Sequence, residues 1–429
     1  MSKEKYLTAI DVGSTKVLTT VVVVSQDKIS VVGVAKVPSK GINKAVVVNI
    51  DEAVECISQS IDRAEKMAGV SISQAFITVS GGHIETLNSR GVVAVVPHES
   101  SEITAEHVAR ATEAAQAVSL PSSREVIHVI PRDFIVDGQD GIKDPVGMSG
   151  VRLEVETNII HGLSTSIKNM EKCIKKVGVD VAGCVFTGVA SAESALTDTE
   201  KELGTILVDI GGGSTSLVIF LEGAPIYSAV LPVGGKHITS DLAIGLRASL
   251  DTAEKIKIKL SNEKLDYMSL AREFERPSVK STSTNPDEFD ATGYGLETNT
   301  VSKRVLYGII DPRLQEIFEL VAGEIKKANL QAKLPAGCVL TGGASLTVGA
   351  ERVAKQVLKM TTRVGFPKGV SGLIDDIQGP DASACVGAII YGSKMAHNQG
   401  LLNSSSSSGK IGSVFKNLFS KLKSFLPQA

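Results

Sequence analysis

Short apolar runs rich in β-branched residues alternate with segments of helical periodicity along most of the chain. The first segments, "YLTAID", "VGSTK" and "VLTTVVVV", predict a strand, a tight turn and a second strand, and "KISVVGVAKVP" predicts a third strand. Apolar residues recur at helical spacing between Asn49 and Gly69, where a glycine ends the pattern. "AFITVSGG" then predicts a strand that runs into a glycine turn. This order predicts an α/β fold.

Residues 83–161 differ from the segments before them. Three strand-like runs, "GVVAVV", "REVIHVIPRDFIV" and "VRLEVETNIIHG", surround one helical segment, "TAEHVARATEAAQAV", which Thr104 can cap. We expect a small α+β insert in the first domain. The α/β pattern then resumes with a helix over 166–176, a strand over 179–186 and a helix over 190–203.

The next segment repeats the opening pattern about 200 residues later. "GTILVDIGGGSTSLVIF" again predicts a strand ending in Asp, a glycine turn and a second strand, which indicates an internal duplication. Helices are predicted over 236–246, 251–260, 311–331 and 382–395, and "GCVLTGG" predicts a strand. The polar stretch 261–302 is expected to be irregular, and residues 398–410 are typical of a serine-rich linker.

Composition narrows the function classes. The formal net charge of −2 over 429 residues gives no general attraction to nucleic acid. Five scattered cysteines show no metal-ligand spacing and are expected to be buried thiols. The first residues have no long apolar stretch, so no signal peptide is predicted, and "VLTTVVVVS" is too short to span a membrane. The body of the protein is expected to be soluble and cytoplasmic.

Three glycine-rich turns are the candidate chemistry, namely "DVGSTK" from Asp11, "DIGGGST" from Asp209 and "TGGASLTVGAE" from Thr341. Glycines allow backbone N–H groups to approach phosphate oxygens, and Ser or Thr hydroxyls add donors. An Asp at the end of a strand offers an oxygen ligand for Mg²⁺, and Lys16 offers a positive charge. One such turn is weak evidence, because most glycine hairpins are purely structural. The duplicated pair is more specific.

Together these turns resemble those of the actin-like ATPase superfamily, in which paired ribonuclease-H-like domains enclose a nucleotide. Within it, "ITVSGGHIETLNSRGVV", "LPVGGKHITSDLAIGL" and the position of the insert resemble the FtsA family of bacterial cell-division proteins. The resemblance implies these divisions: 1–82 and 162–203 as the first domain, 83–161 as the insert, 204–235 and 305–396 as the second domain, 236–304 as its outer lobe, 397–410 as a flexible linker and 411–426 as a membrane-targeting amphipathic helix.

The resemblance also implies roles for single residues. ATP phosphates would be held from two sides by Gly13, Ser14, Thr15 and Lys16 and by Gly212, Gly213, Ser214 and Thr215. Gly235 and Lys236 would lie near the nucleotide, Glu254 and Lys257 would contact ribose and base, and Gly342, Gly343 and Ala344 would line the adenosine pocket. Asp11 and Asp209 would orient Mg²⁺. Lys236 and Lys257 are also compatible with solvated lysines, and Glu254 with a surface ion pair.

No catalytic base can be assigned. Where many relatives place an acid or a glutamine, the chain reads "FTGVASAESAL", with Thr187 and Gly188 at that place and Glu193 further along. We therefore expect ATP binding with weak or negligible hydrolysis, and a nucleotide that acts on conformation.

The segment "GKIGSVFKNLFSKLKSFLPQA" follows a run of five serines and contains no acidic residue. On a helical wheel its apolar residues share an arc of roughly 140°; they are Ile411, Val414, Phe415, Leu418, Phe419, Leu422, Phe425 and Leu426. Lys416 and Lys423 lie beyond one edge of this arc, and Asn417 and Ser424 lie on the far side. A helix this short cannot cross a bilayer, whereas phenylalanines flanked by lysines favour an anionic membrane surface. Docking on the protein itself is the alternative, and the flexible linker argues against it.

The resemblance implies an ATP-binding protein that polymerises on the cytoplasmic membrane at the division site. It would anchor filaments of the tubulin-like protein FtsZ, with contact to the FtsZ tail through the outer lobe, and recruit other division proteins. A pilus-assembly ATPase and a kinase of the same superfamily remain alternatives.

Overall fold

The computed structural model describes residues 5–25, 28–95, 102–273, 288–373 and 375–398. The first domain begins with a hairpin and a helix on one mixed sheet. Its first elements are β1 (Lys5–Val12), β2 (Lys16–Ser25), β3 (Lys28–Pro38), β4 (Ile42–Asn43), β5 (Val46–Val47), α1 (Ile50–Ala68) and β6 (Gln74–Val79). The Asn49 side chain caps the start of α1, and its C-cap is Gly69, which confirms the predicted glycine stop.

The insert is an antiparallel sheet with one helix against it. Its elements are β7 (Glu85–Ala94), α2 (Ala105–Gln116), β8 (Arg124–Val136), β9 (Gln139–Ile142) and β10 (Arg152–Leu163), in the sheet order β7-β10-β8-β9. Thr104 caps α2, which confirms the expected cap. The insert also contacts the second domain, because Ile84 and Ile160 share a buried cluster with Val218 and Val230.

The chain then returns to the first domain through α3 (Ser164–Lys176), β11 (Asp180–Phe186), α4 (Thr187–Ala195) and α5 (Asp198–Leu203). The prediction of one helix over 190–203 was wrong. Thr197 begins a new helix there: its hydroxyl accepts from Glu200 N, and the Glu200 carboxylate accepts from Thr197 N at 2.8 Å. This capping box separates α4 from α5.

The second domain repeats the hairpin of the first. Its elements are β12 (Thr205–Ile210), β13 (Thr215–Leu221), β14 (Ala224–Leu231), α6 (Gly235–Leu246), α7 (Leu250–Glu273), β15 (Glu288–Asp290), β16 (Thr300–Ser302), α8 (Lys303–Lys327), β17 (Cys338–Thr341), α9 (Ala350–Leu358) and β18 (Thr362–Val364), with a 3-10 helix at Gly343–Leu346. Part of the stretch expected to be irregular is regular, since α7 continues to Glu273 and β15 pairs with β16. Helix α8 begins eight residues earlier than predicted and continues through Pro312.

The chain ends its described part on the first domain, through β19 (Ser371–Gly372), 3-10 helices at Asp375–Ile377 and Pro380–Ala382, and α10 (Ser383–Asn398). The first sheet has the order β11-β6-β1-β2-β3-β19, and the second β14-β13-β12-β17-β18. Helix α10 packs closely on α4, because a Cβ on Gly387 would lie 1.6 Å from the Ala190 carbonyl oxygen. No helix in the described part of the chain is long and apolar enough to cross a membrane.

Candidate functional site

The two glycine turns after β1 and β12 have the same geometry. Gly13 N donates to Lys16 O at 2.9 Å, and Gly211 N donates to Ser214 O at 2.9 Å. Each turn is closed by one strand pair, Val12 with Val17 and Ile210 with Thr215. The duplication in the sequence therefore extends to the backbone of the turns.

The two turns face each other at very short range. A Cβ on Gly212 would lie 2.3 Å from Thr15 Cγ2, and a Cβ on Gly213 would lie 2.7 Å from Ser14 Oγ. Lys236 Nζ also donates across the gap to Ser14 O at 2.6 Å. The second turn is thus glycine-rich where the side chains of the first approach it.

A cleft of about 480 Å³ lies between the domains along these turns. Most of the predicted nucleotide-site residues line it: Asp11, Gly13, Ser14, Thr15, Lys16, Asp209, Gly212, Gly213, Ser214, Gly235, Lys236, Glu254, Lys257, Gly342, Gly343 and Ala344. Thr215 lies behind the lining, fully buried, and its hydroxyl donates to Val233 O at 2.8 Å. The predicted membrane residues between 411 and 426 lie outside the described residues.

Two carboxylates line the cleft, each near the carboxyl end of its strand: Asp11 in β1 is partly buried, and Asp209 in β12 is buried. Asp11 Oδ1 accepts from Thr78 Oγ1 at 2.5 Å, and Asp209 Oδ2 accepts from Ser191 Oγ at 2.5 Å. Burial raises the pKa of Asp11, and burial together with the nearby Asp11 charge raises the pKa of Asp209 to about 7. A bound cation would relieve both effects.

These donors fit Mg²⁺, which prefers carboxylate oxygens and retains water and phosphate ligands. The third glycine turn makes room for them, since Gly342 has a φ of +81° and a Cβ there would lie 2.2 Å from Asp209 Oδ1. Within the described ranges there is no group of three or more acidic, His or Cys side chains placed for a metal. Mg²⁺ at this site would therefore depend on phosphate and water for its other ligands.

The α7 side of the cleft carries a buried lysine. Lys257 Nζ donates to Thr239 Oγ1 at 2.9 Å, to Glu254 Oε2 at 2.7 Å and to Gly235 O at 3.3 Å. Its side chain is 9% exposed, so the alternative of a solvated lysine is wrong for Lys257. Glu254 is 43% exposed and pairs with Lys257 through Oε2, which also accepts from Thr239 Oγ1, so the ion-pair alternative describes Glu254 in this structure.

Sequence reasoning missed other lining residues, among them Lys36, Ala45, Thr78, Ser80, Ile258, Ser261, Asn262, Leu346, Thr347 and Asp381. Thr78 had a usable signal, because β6 pairs in parallel with β1 and the carboxyl ends of neighbouring parallel strands lie together. Lys36 and Asp381 had no such signal, since nothing in the sequence around them distinguishes them from charged residues on the surface.

No acidic side chain stands where a catalytic base was sought. Thr187 lines the cleft and donates to Val79 O, whereas Glu193 is paired with Lys201 at 3.0 Å and with Lys394, away from the lining. The acidic residues among the described residues of the lining are Asp11, Asp209, Glu254 and Asp381.

Solved structures with the same architecture include nucleotide-bound proteins. A PilM–PilN type IV pilus biogenesis complex aligns with a TM-score of 0.62 at 15% identity, covering 90% of this chain and 98% of that one. MreB5 of Spiroplasma citri bound to ADP aligns with a TM-score of 0.51 at 14% identity, covering 92% and 98%. At these identities the alignments show the fold alone, and that fold is actin-like.

Sequence comparison gives the family. A family model described as "SHS2 domain inserted in FTSA" matches residues 81–161, and one described as "Cell division protein FtsA" matches residues 206–387. Cell division protein FtsA of Pseudomonas aeruginosa is 38% identical over 90% of this chain and 89% of its own length. The Bacillus subtilis protein is 36% identical, covering 93% and 86%, and the Escherichia coli protein 32%, covering 98% of both. The chain therefore belongs to the FtsA family of cell-division proteins.

Proposed function

We propose that this cell-division protein binds Mg²⁺–ATP between its two domains, and that the nucleotide controls its assembly at the membrane. The observation that carries the proposal is the pair of facing glycine turns, each preceded by an Asp that lines the cleft, with Lys16 at the end of the first turn. A related actin-like structure was solved bound to ADP and another bound to AMPPNP, which supports a nucleotide in this cleft.

The chain's own residues would divide the binding between them. Backbone N–H groups of Gly212 and Gly213, with the hydroxyl of Ser214 and the ammonium of Lys16, offer donors to phosphate oxygens. Asp11 and Asp209 would hold Mg²⁺, which supplies charge neutralisation for the phosphates. Glu254 would accept from ribose hydroxyls, with Lys257 fixing its position.

Hydrolysis is expected to be weak. Asp11 and Asp209 each already accept a short hydrogen bond from a hydroxyl, and Glu193 is held by two lysines outside the lining. No remaining side chain that lines the described cleft is placed to act as a base toward water without giving up a contact that it already makes. ATP would therefore act mainly as a conformational ligand.

Equilibrium binding and single-turnover assays on the full chain test this. Wild-type protein is expected to bind ATP in the presence of Mg²⁺, with turnover far slower than dissociation of the nucleotide. Asp209→Ala should weaken Mg²⁺–ATP binding. Fast turnover that Asp209→Ala abolishes would contradict the weak-hydrolysis proposal, and no ATP binding by the wild type would contradict the nucleotide site itself.

We also propose that residues 411–426 bind the cytoplasmic membrane as an amphipathic helix. Support comes from the sequence, in which eight apolar residues share one helical face and no acidic residue occurs after Asp381. A single helix of this length binds reversibly, so assembly into filaments would raise the avidity of many such helices.

Co-sedimentation with anionic vesicles tests the helix with a charge-matched control. Phe419→Glu with Phe425→Glu places two carboxylates on the apolar face and should abolish pelleting. Asn417→Glu with Ser424→Glu adds the same charge on the polar face and should only reduce it. Equal losses in both variants would point to charge alone and overturn the amphipathic-helix proposal.

The family places the chain in cell division, and we propose that it anchors FtsZ filaments through the lobe around 236–304 and recruits other division proteins. Flotation of FtsZ polymers with vesicles and the full chain, with and without ATP, measures this. FtsZ should float with vesicles only when the chain is present, and more strongly with ATP. Recruitment that survives removal of 411–426 would show that the tail is not the anchor.

A further inference from the structure

Two lysines and one aspartate form a compact charge cluster at the edge of the cleft. Lys16 begins β2, and Lys36 lies on the neighbouring strand β3, opposite Leu18. Lys16 Nζ donates to both Asp381 O and Asp381 Oδ2, and Lys36 Nζ donates to the same Oδ2 at 2.5 Å. All three side chains line the cleft with the glycine turns.

The carboxylate in this cluster is held in place by the backbone. Pro380 O accepts from Gly342 N at 3.1 Å and from Thr341 Oγ1 at 3.3 Å, which fixes the turn before α10 to the third glycine turn. A Cβ on Gly379 would lie 2.5 Å from Asp381 Oδ1, so this glycine makes room for the side chain. Asp381 therefore stands at a set position between the first and third glycine turns.

The three charged side chains are only partly exposed to solvent, so water screens their interactions less than it does for charges on the open surface. The side chains of Lys16, Asp381 and Lys36 are 16%, 23% and 46% exposed. Burial alone would raise the pKa of Asp381, but Lys16 and Lys36 more than offset this and hold it below its ordinary value. Burial lowers the pKa of Lys16 even though Asp381 opposes the shift.

A phosphate oxygen and a carboxylate oxygen are equivalent acceptors for an ammonium group. Two of the three Lys16 N–H donors are taken by Asp381 O and Oδ2, so one remains for a phosphate, and a phosphate that takes more of Lys16 must compete with the Asp381 side chain. The backbone contact to Asp381 O remains possible during this exchange. Lys36 shares the same carboxylate oxygen as Lys16, so a polyphosphate that displaces the carboxylate meets two ammonium groups.

We propose that Asp381 is an internal competitor of the nucleotide phosphates for Lys16, and that Lys36 is a second phosphate-binding cation of the cleft. The proposal rests on the nucleotide site proposed above and adds two residues that set its affinity. Asp381 repels the phosphates and occupies the lysines, so it weakens binding. Lys36 strengthens binding, and more so for a triphosphate than for a monophosphate, because charge attraction grows with the charge of the ligand.

Dissociation constants of the full chain for ATP, ADP, AMP and inorganic tripolyphosphate test the proposal. Asp381→Asn should lower the dissociation constants of ATP and tripolyphosphate about 5-fold, since a partly exposed ion pair contributes about 1 kcal/mol. The dissociation constant of AMP should fall by less. Asp381→Ser, which also removes the charge, should act in the same direction. Asp376→Asn makes the same charge change on an exposed residue five positions away and should leave the constants unchanged.

Lys36→Gln should weaken ATP binding about 3-fold. The loss should be larger in the Asp381→Asn background, where Lys36 is released from its partner. Lys40→Gln is its charge-matched control on an exposed residue nearby. Thermal unfolding of each variant separates affinity from folding.

The outcomes are distinct. Wild-type protein that binds no ATP overturns the proposed function and this inference together. Wild-type protein that binds ATP, with Asp381→Asn and Asp381→Ser equal to Asp376→Asn or weaker than wild type, overturns the inference alone. Tighter tripolyphosphate binding by both Asp381 variants supports it, because that probe has no base or ribose.

Discussion

The hairpins β1–β2 and β12–β13 share one backbone geometry and differ in the side chains they carry. Both turns close with the same N–H to carbonyl hydrogen bond, and both are preceded by an Asp, which is partly buried in the first hairpin and buried in the second. The first turn carries Ser14, Thr15 and Lys16, whereas the second carries three glycines and one serine. The duplicated hairpins therefore offer different chemical groups to the cleft. The first hairpin contributes side-chain donors and charge, and the second contributes backbone and the space for those side chains.

The largest expected effect comes from the one charge in the two turns. Lys16→Gln should weaken ATP binding about 100-fold, since losing one partner of a sheltered charge contact costs about 2–5 kcal/mol. Isothermal titration with the full chain measures it. Lys28→Gln, on an exposed residue at the start of β3, is the charge-matched control and should bind as wild type. Binding by Lys16→Gln within about 3-fold of wild type would show that the hairpins contribute alike after all.

The close approach of the turns predicts a specific clash and its rescue. Gly212→Ala should weaken ATP binding about 20-fold, because the added Cβ meets Thr15 Cγ2 and overpacking costs about 1–3 kcal/mol. Thr15→Ser keeps the hydroxyl and removes that methyl group, so the double variant should recover much of the loss. A double variant that binds as weakly as Gly212→Ala would mean that the backbone of the second turn, rather than space, is what the glycine provides.

Much of this comparison could be predicted from the sequence, because hairpins are local. The strand, Asp and glycine pattern is visible twice in the chain, and the predicted lining residues came from it with the resemblance. The turn after β1 and the turn after β12 needed only periodicity and glycine chemistry. Helix ends were harder, since α4 ends at Ala195 and Thr197 begins α5 through a capping box that the apolar pattern does not indicate.

The rest of the site could not be predicted because it is assembled over long sequence distances. Asp381 meets Lys16 across 365 positions, and Ser191 meets Asp209 only because α4 packs beside β12. A serine in a helix and an aspartate after a proline carry no local sign of such partners. Burial also excluded a solvated side chain for Lys257, an alternative that the sequence alone had to leave open.

The buried carboxylate of the second hairpin, Asp209, predicts a pH effect on stability. The pKa of Asp209 is raised from 3.8 to about 7 in the folded chain, so the folded state holds this proton more tightly than the unfolded state does. Its contribution to the free energy of unfolding is therefore fully present below about pH 4 and is lost as the pH rises through 7. Asp209→Asn removes the penalty and should raise the free energy of unfolding at pH 8, without Mg²⁺, by about 1–2 kcal/mol.

Urea unfolding at pH 5 and pH 8 measures this difference, which should be smaller at pH 5. Added Mg²⁺ should stabilise the wild type more than Asp209→Asn, because a cation favours the charged carboxylate. A variant that is less stable than wild type at pH 8 would show that the Asp209 charge is compensated within the protein. The two hairpins would then differ in electrostatics as well as in side chains.

The smallest expected effect distinguishes the hydroxyls that hold the two aspartates. Thr78 reaches Asp11 from the neighbouring strand of the same sheet, whereas Ser191 reaches Asp209 from helix α4. Each hydrogen bond favours the charged carboxylate, so Thr78→Val and Ser191→Ala should each weaken Mg²⁺-dependent ATP binding about 3-fold and leave binding in EDTA unchanged. Ser60→Ala is the control, because it removes a buried hydroxyl that hydrogen-bonds Thr19 and Ala35 O away from the cleft.

Titration of ATP at several Mg²⁺ concentrations measures the Mg²⁺-dependent part of ATP binding in each variant. Equal losses would mean that both hairpins hold the cation, a loss in Ser191→Ala alone would assign it to the second hairpin, and no change in either would remove the aspartates from Mg²⁺ binding.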